Sequence, residues 1–431
     1  MDIASGAECT RRGEAPPRVS RWYDGDVLTP DEARARILAA LSDVAPLPGE
    51  RVPLSAALGR ALAEDLRSEA DLPAFDAATM DGYALRAADA PRAGARLPVA
   101  FEVFAGSPAA TPLPRGACCR IFTGAPLPRG ADTVEQQEEV RRSGRAAVFR
   151  RPAERGRFIR PRGSDLVAGA AAVPAGAAVD PGTVGLAAGL GRSDLLVRRR
   201  PRVGILPTGD EIVPVGRTPA PGQIVESNGH ALAAAAREAG AEPVVLPIVR
   251  DDAGALREAL ARVAGLDALV TTGGVSVGAR DLVRAALARA GARLDFWRVA
   301  MRPGKPFTFG RWGRMAVFGL PGNPASALVN FELFVRPALR ALAGLAGTGR
   351  LRMPARLASA QEKPRELEVY LRVRLRRARG ALVAEPLRTQ VSGNLSSTAG
   401  HDALAVLPAG RARVPRGATV EAIVLRPPHG A

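Results

Sequence analysis

Two glycine-containing loops are the segments best suited to chemistry, because each lies between an apolar strand pattern and a helix pattern. They are TTGGVSVG, Thr271 to Gly278, and LPGNPASA, Leu320 to Ala327. Glycine lets the backbone approach a phosphate closely, and exposed amides together with the start of the following helix supply positive potential. We predict that the two loops cradle one phosphorylated ligand. The alternative for each loop is a plain tight turn, and neither matches a Walker A or a GxGxxG motif.

Cations lie between these loops in MRPGKPFTFG, Met301 to Gly310. Arg302 and Lys305 stand beside a proline-constrained turn, where we expect them to meet a phosphate or another oxyanion. Lys305 and Lys363 are the two lysines of a chain whose other basic residues are arginine. This usage predicts that a compact ammonium group is specifically required at position 305.

Carboxylates follow the same strand patterns. They are Asp210 and Glu211 in PTGDE, Asp251 and Asp252 in RDD, and Asp281 at the end of the first glycine loop. Magnesium prefers carboxylate and phosphate oxygens and needs one or two protein carboxylates. The placement predicts a magnesium site, although each acid taken alone also fits a solvated loop residue or a helix cap.

Strands and helices must alternate to position these loops, and from Arg202 onward the hydrophobic pattern does so. The predicted strands are 203–206, 244–249, 268–272, 296–300 and 316–320. The predicted helices are 231–239, 253–263, 282–290 and a long helix after Pro324. The pattern indicates an α/β domain with a parallel sheet, in which loops after the carboxyl ends of the strands line the ligand crevice.

The flanking segments differ from this domain. Thr29 and Glu32 form a capping-box pattern that predicts a helix with an apolar stripe, and we expect the turn-rich segment 166–196 to pack against that helix. Between Leu72 and Arg162, short apolar pieces broken by Pro and Gly indicate a β-rich domain. Alternation over 369–376 predicts a half-buried strand in a C-terminal β domain.

Composition restricts the class of protein. A chain of 431 residues predicts two to four domains, and no apolar run approaches the length of a membrane span. The first 26 residues lack the apolar core of a secretory signal, so the expected location is cytoplasmic. Three cysteines and three scattered histidines support neither a disulfide framework nor a zinc site.

The formal net charge of +17 favours an anionic partner, or it reflects compositional drift toward arginine. Aromatic residues make up 4% of the chain, and we find no basic stretch interleaved with aromatic residues. Nucleic acid is therefore not an expected partner.

An ordered series of motifs resembles the MoeA family of molybdopterin molybdenumtransferases and the related E domain of gephyrin. The motifs are FDAATMDGYA from Phe75, RIFTGAPLP from Arg120, RPRGSD from Arg160, PTGDE from Pro207, TTGGVSVGARD, RPGKPFTFG and LPGNPASA. The resemblance implies a four-domain, homodimeric enzyme with its active site in a cleft at the subunit interface. Its substrates would be adenylyl-molybdopterin and molybdate, its cofactor Mg²⁺, and its products AMP and the molybdenum cofactor.

With that family in view, we divide the chain into five parts. They are a flexible extension (1–26), a linker and dimerisation domain (27–70 with 163–198), a β-rich domain (71–162), a central three-layer α/β domain of the molybdopterin-binding type (199–345) and a C-terminal β domain (346–431). A molybdopterin adenylyltransferase or molybdoenzyme delivery proteins are compatible partners, and a membrane is not.

The resemblance also implies roles for individual residues. Catalytic roles fall on Asp76, Thr123, Asp165, Glu211, Asp251, Asp281 and Lys305, with Asp81 in the same cleft and Glu211, Asp251 and Asp281 as magnesium ligands. Binding of the pterin phosphate or molybdate falls on Asp210, Gly273, Gly274, Ser276, Gly278, Arg298, Arg302, Pro321, Gly322, Asn323, Pro324, Arg372 and Ser392.

The chain departs from the family pattern at Arg298 and Arg302, where lysines are common, and at Leu282, where an aromatic residue is common. Two other readings remain open. One is the upstream molybdopterin adenylyltransferase, whose loop usually continues TGGTG, and the other is a non-catalytic scaffold like the gephyrin E domain.

Overall fold

The computed structural model describes residues 27–44, 46–108, 111–274, 282–378 and 380–427. The chain divides into two compact units. One contains Pro46–Arg199 and Ala343–Ala346, and the other contains the residues before, between and after these two segments. In the part of the chain that the structure describes, no helix is both long and apolar enough to cross a membrane.

The larger unit contains a six-stranded sheet with helices on both faces, as predicted for the α/β domain. Four of its strands are parallel neighbours, and hydrophobic side chains such as Leu206, Leu269 and Val317 are fully buried between sheet and helices. In spatial order the strands are Glu242–Val245, Arg202–Pro207, Ala268–Thr272, Met315–Leu320, Pro306–Trp312 and Arg293–Arg298. The helices are Asn228–Glu238, Ala253–Leu260, Leu282–Arg289, Pro324–Asn330 and Arg336–Leu342, with a π-helical turn at Phe331–Val335.

One strand of this sheet was not expected from the sequence. Pro306–Trp312 runs antiparallel to both of its neighbours, so the sheet is mixed rather than purely parallel. Phe307 and Phe309 on this strand contact Phe296 and Phe318, with ring centroids 5.5–6.4 Å apart. The Pro-Gly-Lys-Pro sequence at its start is typical of a turn, so the local pattern did not predict a strand here. The aromatic contacts stabilise it.

The opening helix, Pro30–Ser42, forms as predicted. Thr29 and Glu32 make a complete capping box, and Ala33, Ile37 and Leu41 are buried. This helix contacts Arg336–Leu342. Just before the helix, Leu28 O accepts a hydrogen bond (2.8 Å) from Ala300 N, which follows the edge strand Arg293–Arg298.

A closed β-barrel follows the α/β domain and confirms the predicted C-terminal β fold. Its strands are Glu368–Ala378, Ala381–Pro386, Arg352–Leu357, Thr419–Val424 and Ala403–Leu407, and the last pairs back with the first. The short strand Met301–Arg302 joins the barrel by parallel pairing with Glu368 and Val369. A small pair, Gln361–Glu362 with Arg413–Val414, lies beside it.

The smaller unit is β-rich, as expected for 71–162. Its main sheet has the order Thr133–Gln136, Gly82–Leu85, Cys118–Ile121, Arg96–Val103, Ala146–Phe149 and Val140–Ser143. Shorter pairs join Ala77–Ala78 to Ile159–Arg160 and Leu66–Arg67 to Ala171–Val173. Cys118 and Cys119 are free, and burial raises the pKa of both thiols to about 12, which keeps them protonated.

The turn-rich return segment pairs with residues that follow the opening helix in the sequence. Asp194–Arg198 pairs with Gly49–Pro53, and the helix Pro181–Gly189 carries Ala187 into a core with Leu62 and Leu66. The expected packing of 166–196 on the opening helix stays a prediction. The domain boundaries at residues 71 and 163 stay a prediction.

Candidate active site

The two glycine-containing loops begin side by side. The strands that precede them are parallel neighbours in register, with Thr272 opposite Leu320, and Gly273 N donates to Leu320 O at 3.1 Å. Gly322 lies close to the Cα of Gly273. The predicted juxtaposition of the two loops is confirmed.

The first loop requires glycine at two positions. Gly273 and Gly274 have φ values of +86° and +64°. A Cβ on Gly273 would lie 2.5 Å from Thr208 O, and one on Gly274 would lie 2.4 Å from Val283 Cγ2. The backbone at Gly273 and Gly274 therefore packs closely against Thr208 and Val283, which leaves no room for a side chain at either position. The predicted site residues Ser276, Gly278 and Asp281 lie outside the residues that the structure describes.

The second loop is held by polar contacts from two directions. Asn228 Nδ2 donates to Gly322 O at 2.6 Å, and Asn323 Nδ2 donates to Ser392 Oγ at 3.1 Å. Asn323 occupies the N-cap position of the helix that begins at Pro324, but its side chain makes no capping bond. Its amide instead binds the barrel loop, which explains an asparagine better than capping does.

The cationic turn faces the same space. Arg302 and Lys305 are exposed and line one cavity of about 1010 Å³ together with Gly274, Gly322 and Ser392. Arg302 ends the short strand paired with the barrel, and Lys305 O accepts a hydrogen bond from Val299 N at 3.1 Å. Two cations of the α/β domain, both loops and one barrel loop therefore meet around one space.

The acids lie at the same edge of the sheet. Asp210 Oδ1 accepts from Asp251 N at 3.3 Å and pairs with Arg250 at 3.4 Å, which joins the loops after two neighbouring strands. Glu211 lines the cavity. Among the residues that the structure describes, no group of three acidic, His or Cys side chains forms a metal-binding cluster. The donor set fits Mg²⁺ held by one or two carboxylates with the remaining oxygens from ligand and water.

Two predicted anion ligands lie elsewhere. The guanidinium of Arg298 stacks over the ring of Trp297, 3.7 Å from its centroid. Arg372 is 1% exposed and lines a second cavity of about 500 Å³. Its Nη2 donates to Thr389 O and Val391 O at 3.5 and 3.3 Å, and burial lowers the pKa of this guanidinium. In this structure Arg372 supports the loop that carries Ser392 and does not line the first cavity.

The predicted residues of the smaller unit form local contacts of their own. Asp81 Oδ1 accepts from both Thr123 N and Thr123 Oγ1 at 2.8 Å, and these bonds lower the pKa of Asp81. Asp76 Oδ1 accepts from Arg162 N at 2.7 Å, and Asp165 pairs with Arg160. The three motifs of this unit are thereby tied together in space.

Three cavity residues were not among the predicted site residues, although Thr208 lies within the motif PTGDE. Thr208 Oγ1 donates to Thr272 O at 3.1 Å, and the buried carboxylate of Glu226 accepts from Gly229 N at 2.6 Å. Asn228 follows them at the start of a helix. The signal available was the polar run Glu-Ser-Asn directly before a helix that packs on the same sheet.

Comparison with known proteins defines the class first. Three family models match in series: "MoeA N-terminal region (domain I and II)" over residues 28–191, "Probable molybdopterin binding domain" over 204–341, and "MoeA C-terminal region (domain IV)" over 354–425. The fold and the site are thus those of a multidomain protein built around a molybdopterin-binding type of domain.

Whole-chain relatives identify the family. The chain is 38% identical to a molybdopterin molybdenumtransferase of Nostoc sp., covering 86% of this chain and 87% of that protein, and 35% identical to one of Bacillus subtilis, covering 88% and 91%. A crystal structure of the molybdopterin biosynthesis MoeA protein from Pyrococcus horikosii matches with a TM-score of 0.79 at 32% identity, covering 93% of this chain and all of that one. The chain belongs to the MoeA family.

Proposed function

We propose that this chain is a transferase that inserts molybdenum into molybdopterin, taking adenylyl-molybdopterin and molybdate as substrates and releasing AMP. One observation carries the proposal: two glycine-containing loops and two exposed cations line a single cavity of about 1010 Å³ at the carboxyl end of a largely parallel sheet. Ligands of open α/β sheets bind at this edge. The names of the relatives supply the chemistry that this cavity is proposed to perform.

The glycine loops suit the phosphate end of such a substrate. Gly274 brings main chain to the cavity wall, and neither it nor Gly273 leaves room for a side chain against Val283 and Thr208. Backbone amides in such a loop bind phosphate oxygens without the entropy loss of ordering a long side chain. Asn228 and Ser392 hold the facing loop at Gly322 and Asn323, so this wall of the cavity is held in place before the ligand binds.

The cations suit an oxyanion. Lys305 and Arg302 are exposed at the cavity, and in the described part of the chain no carboxylate lies within 4.0 Å of either. A preformed cation costs no reorganisation when negative charge develops on a phosphoryl or oxometal oxygen. We assign Lys305 to the phosphoryl or oxometal oxygen on which negative charge increases during the reaction. Arg302 is assigned to positioning of the anionic substrate.

Magnesium is proposed as the cofactor, with Glu211, Asp251 and Asp281 as its ligands and Asp210 beside them. When bound, such an ion polarises phosphoryl oxygens and neutralises charge on the leaving phosphate. Asp210 positions the Asp251 backbone by the bond at 3.3 Å, while the exposed Glu211 carboxylate faces the cavity.

A homodimer, a cytoplasmic location and catalytic roles for Asp76, Thr123 and Asp165 are further proposals that rest on the family resemblance. The same basis supports Arg298 as a ligand contact, whereas the burial of Arg372 and its bonds to two loop carbonyls favour a supporting role. Light scattering on the purified protein tests the dimer, since a mass near 44.9 kDa would overturn it and twice that mass would support it.

The activity test mixes purified protein with adenylyl-molybdopterin, molybdate and Mg²⁺ and measures AMP. We expect AMP release that requires both molybdate and Mg²⁺. Release without molybdate, or none at all, would contradict the proposal. Consumption of ATP with free molybdopterin would instead favour the adenylyltransferase reading, and chelation of the metal without loss of rate would remove magnesium from the scheme.

A further inference from the structure

A single buried amide holds the turn that carries Lys305. Asn330 is fully buried and is the last residue of the helix Pro324–Asn330. Its Nδ2 donates to Gly304 O at 3.2 Å and, over a longer distance of 3.5 Å, to Pro306 O. The two acceptors are the carbonyls of the residues on either side of Lys305, so one side chain holds the turn by hydrogen bonds before and after Lys305.

The carbonyl of Lys305 itself is also bound, since it accepts from Val299 N at 3.1 Å. Three successive carbonyls, at positions 304, 305 and 306, thus accept hydrogen bonds from the protein interior. The backbone direction at Lys305 is fixed although its side chain is exposed. A fixed Cα–Cβ direction narrows the volume that the ammonium group samples.

The fit between Asn330 and the turn leaves no room for another residue at position 304. Gly304 has a φ of +97°, and a Cβ there would lie 2.5 Å from Asn330 Oδ1. That Oδ1 has no hydrogen-bond partner among the residues that the structure describes. A buried acceptor without a partner costs about 1–3 kcal/mol, so stability alone would favour an apolar residue at position 330.

The helix that ends at Asn330 also connects the two walls of the cavity. It begins at Pro324, directly after the loop that lines the cavity, and it continues into the π-helical turn Phe331–Val335. Wide turns of this kind within helices are frequently found at functional sites. The helix Pro324–Asn330 therefore follows the second loop at its first residue, and at its last residue it binds the turn that contains Lys305.

We propose that Asn330 is a positioning residue that sets the ammonium group of Lys305 for the oxyanion substrate. The inference rests on the proposed function, because Lys305 is the cation assigned there. Asn330 acts only through the carbonyls of Gly304 and Pro306. A displacement of about 1 Å at a reacting group can lower a rate by about 10²-fold, and a milder loss is expected for anion binding.

The test titrates inorganic molybdate into the purified full chain by calorimetry. Asn330→Leu and Asn330→Ala both remove the amide donors, the first at similar volume and the second at smaller volume. We expect molybdate binding about tenfold weaker in each, equivalent to about 1.4 kcal/mol. Asn330→Thr keeps one donor and should recover part of the loss, which a volume effect would not produce.

Controls separate positioning from stability. Leu339→Ala removes a fully buried side chain from the next helix, so it should lower the melting temperature without weakening molybdate binding. If the leucine variant does not fold, the alanine variant decides. Wild-type affinity in the folded donor-less variants would overturn the proposal, as would an equal loss of affinity in Leu339→Ala.

Lys305→Ala in the same titration distinguishes this inference from the function on which it rests. Weaker binding in Lys305→Ala but not in the Asn330 variants overturns the role of Asn330 alone. Wild-type binding in Lys305→Ala overturns the assignment of Lys305 to the oxyanion, and with it both claims.

Discussion

The two cavities of the larger unit hold their cations in opposite ways. In the first, Lys305 and Arg302 are exposed and reach the space between the glycine loops. In the second, Arg372 is 1% exposed, and its guanidinium donates to the carbonyls of Thr389 and Val391 while Nε and Nη1 have no partner among the described residues. An exposed cation is available to bind an anion from solution. A buried cation has already lost its hydration and is held by contacts within the protein. The difference teaches that charge count alone does not identify the reactive cavity.

The strongest way to break this comparison is Lys305→Ala. We expect AMP formation to fall by about 10²–10³-fold, the loss typical of removing one donor to developing charge, with Lys305→Arg retaining more of the rate. The melting temperature should change little because the side chain is exposed. Single-turnover AMP release and thermal unfolding measure the two effects. An activity within twofold of the wild type would refute the role of this cation.

A second test concerns the loop wall of the first cavity. Gly274→Ala meets both a φ of +64° and a contact of 2.4 Å with Val283 Cγ2, so we expect a loss of about 2–4 kcal/mol in unfolding free energy together with lost activity. Gly240→Ala is the matched control, since it has a φ of +90° with nothing within 4 Å and should cost only about 1–2 kcal/mol. Equal losses in the two variants would mean that the close approach is unimportant. Denaturant unfolding measures both.

A third test sharpens the contrast through pH. Burial, with repulsion from Arg372 and Arg426, lowers the pKa of His401 beside the second cavity to about 4, while Asp402 opposes the shift. The unfolded chain therefore binds the proton more readily, so this residue stabilises the fold above pH 6.5 and that contribution is lost as pH falls toward 4. We expect the loss to be on the order of 1–2 kcal/mol. In His401→Asn, the unfolding free energy should depend less on pH between 6.5 and 4, and an unchanged slope would rule the prediction out.

The smallest effect is expected for Arg372→Met. It removes the hydrogen bonds to Thr389 O and Val391 O, but it also removes a desolvated charge, and the two changes offset each other. We expect the unfolding free energy to change by less than about 1 kcal/mol and the activity to fall far less than in Lys305→Ala. Thermal unfolding and AMP release provide the comparison. A loss of activity as large as that of Lys305→Ala would place Arg372 among the ligand contacts.

Local patterns predicted much of the fold and part of the site. The capping box at Thr29, the alternation from Arg202 onward and the two loops after neighbouring strands all follow from short-range preferences of the chain. Loops that follow parallel strands lie at one edge of the sheet, and this rule was sufficient to predict that the loops of Gly273 and Gly322 lie close together.

Other features depend on contacts distant in sequence. The strand Pro306–Trp312 forms because its phenylalanines pack on two neighbouring strands, which a proline-rich local pattern hides. Asn330 gave no signal because an asparagine in a helical pattern usually faces solvent, and only the tertiary structure brings it to Gly304. The family resemblance implied a binding role for Arg372, while its burial and its bonds to loop carbonyls depend on how the barrel strand faces its neighbours.

The pairing of Met301 and Arg302 with Glu368 and Val369 makes the barrel and the cationic turn inseparable. On the other side of the same segment, Ala300 N binds Leu28 O. A chimaera that exchanged the barrel between relatives would also exchange the barrel strand with which Arg302 pairs. Successful grafts should therefore inherit both sides of that pairing from one parent, and the crossover point belongs outside residues 300–369.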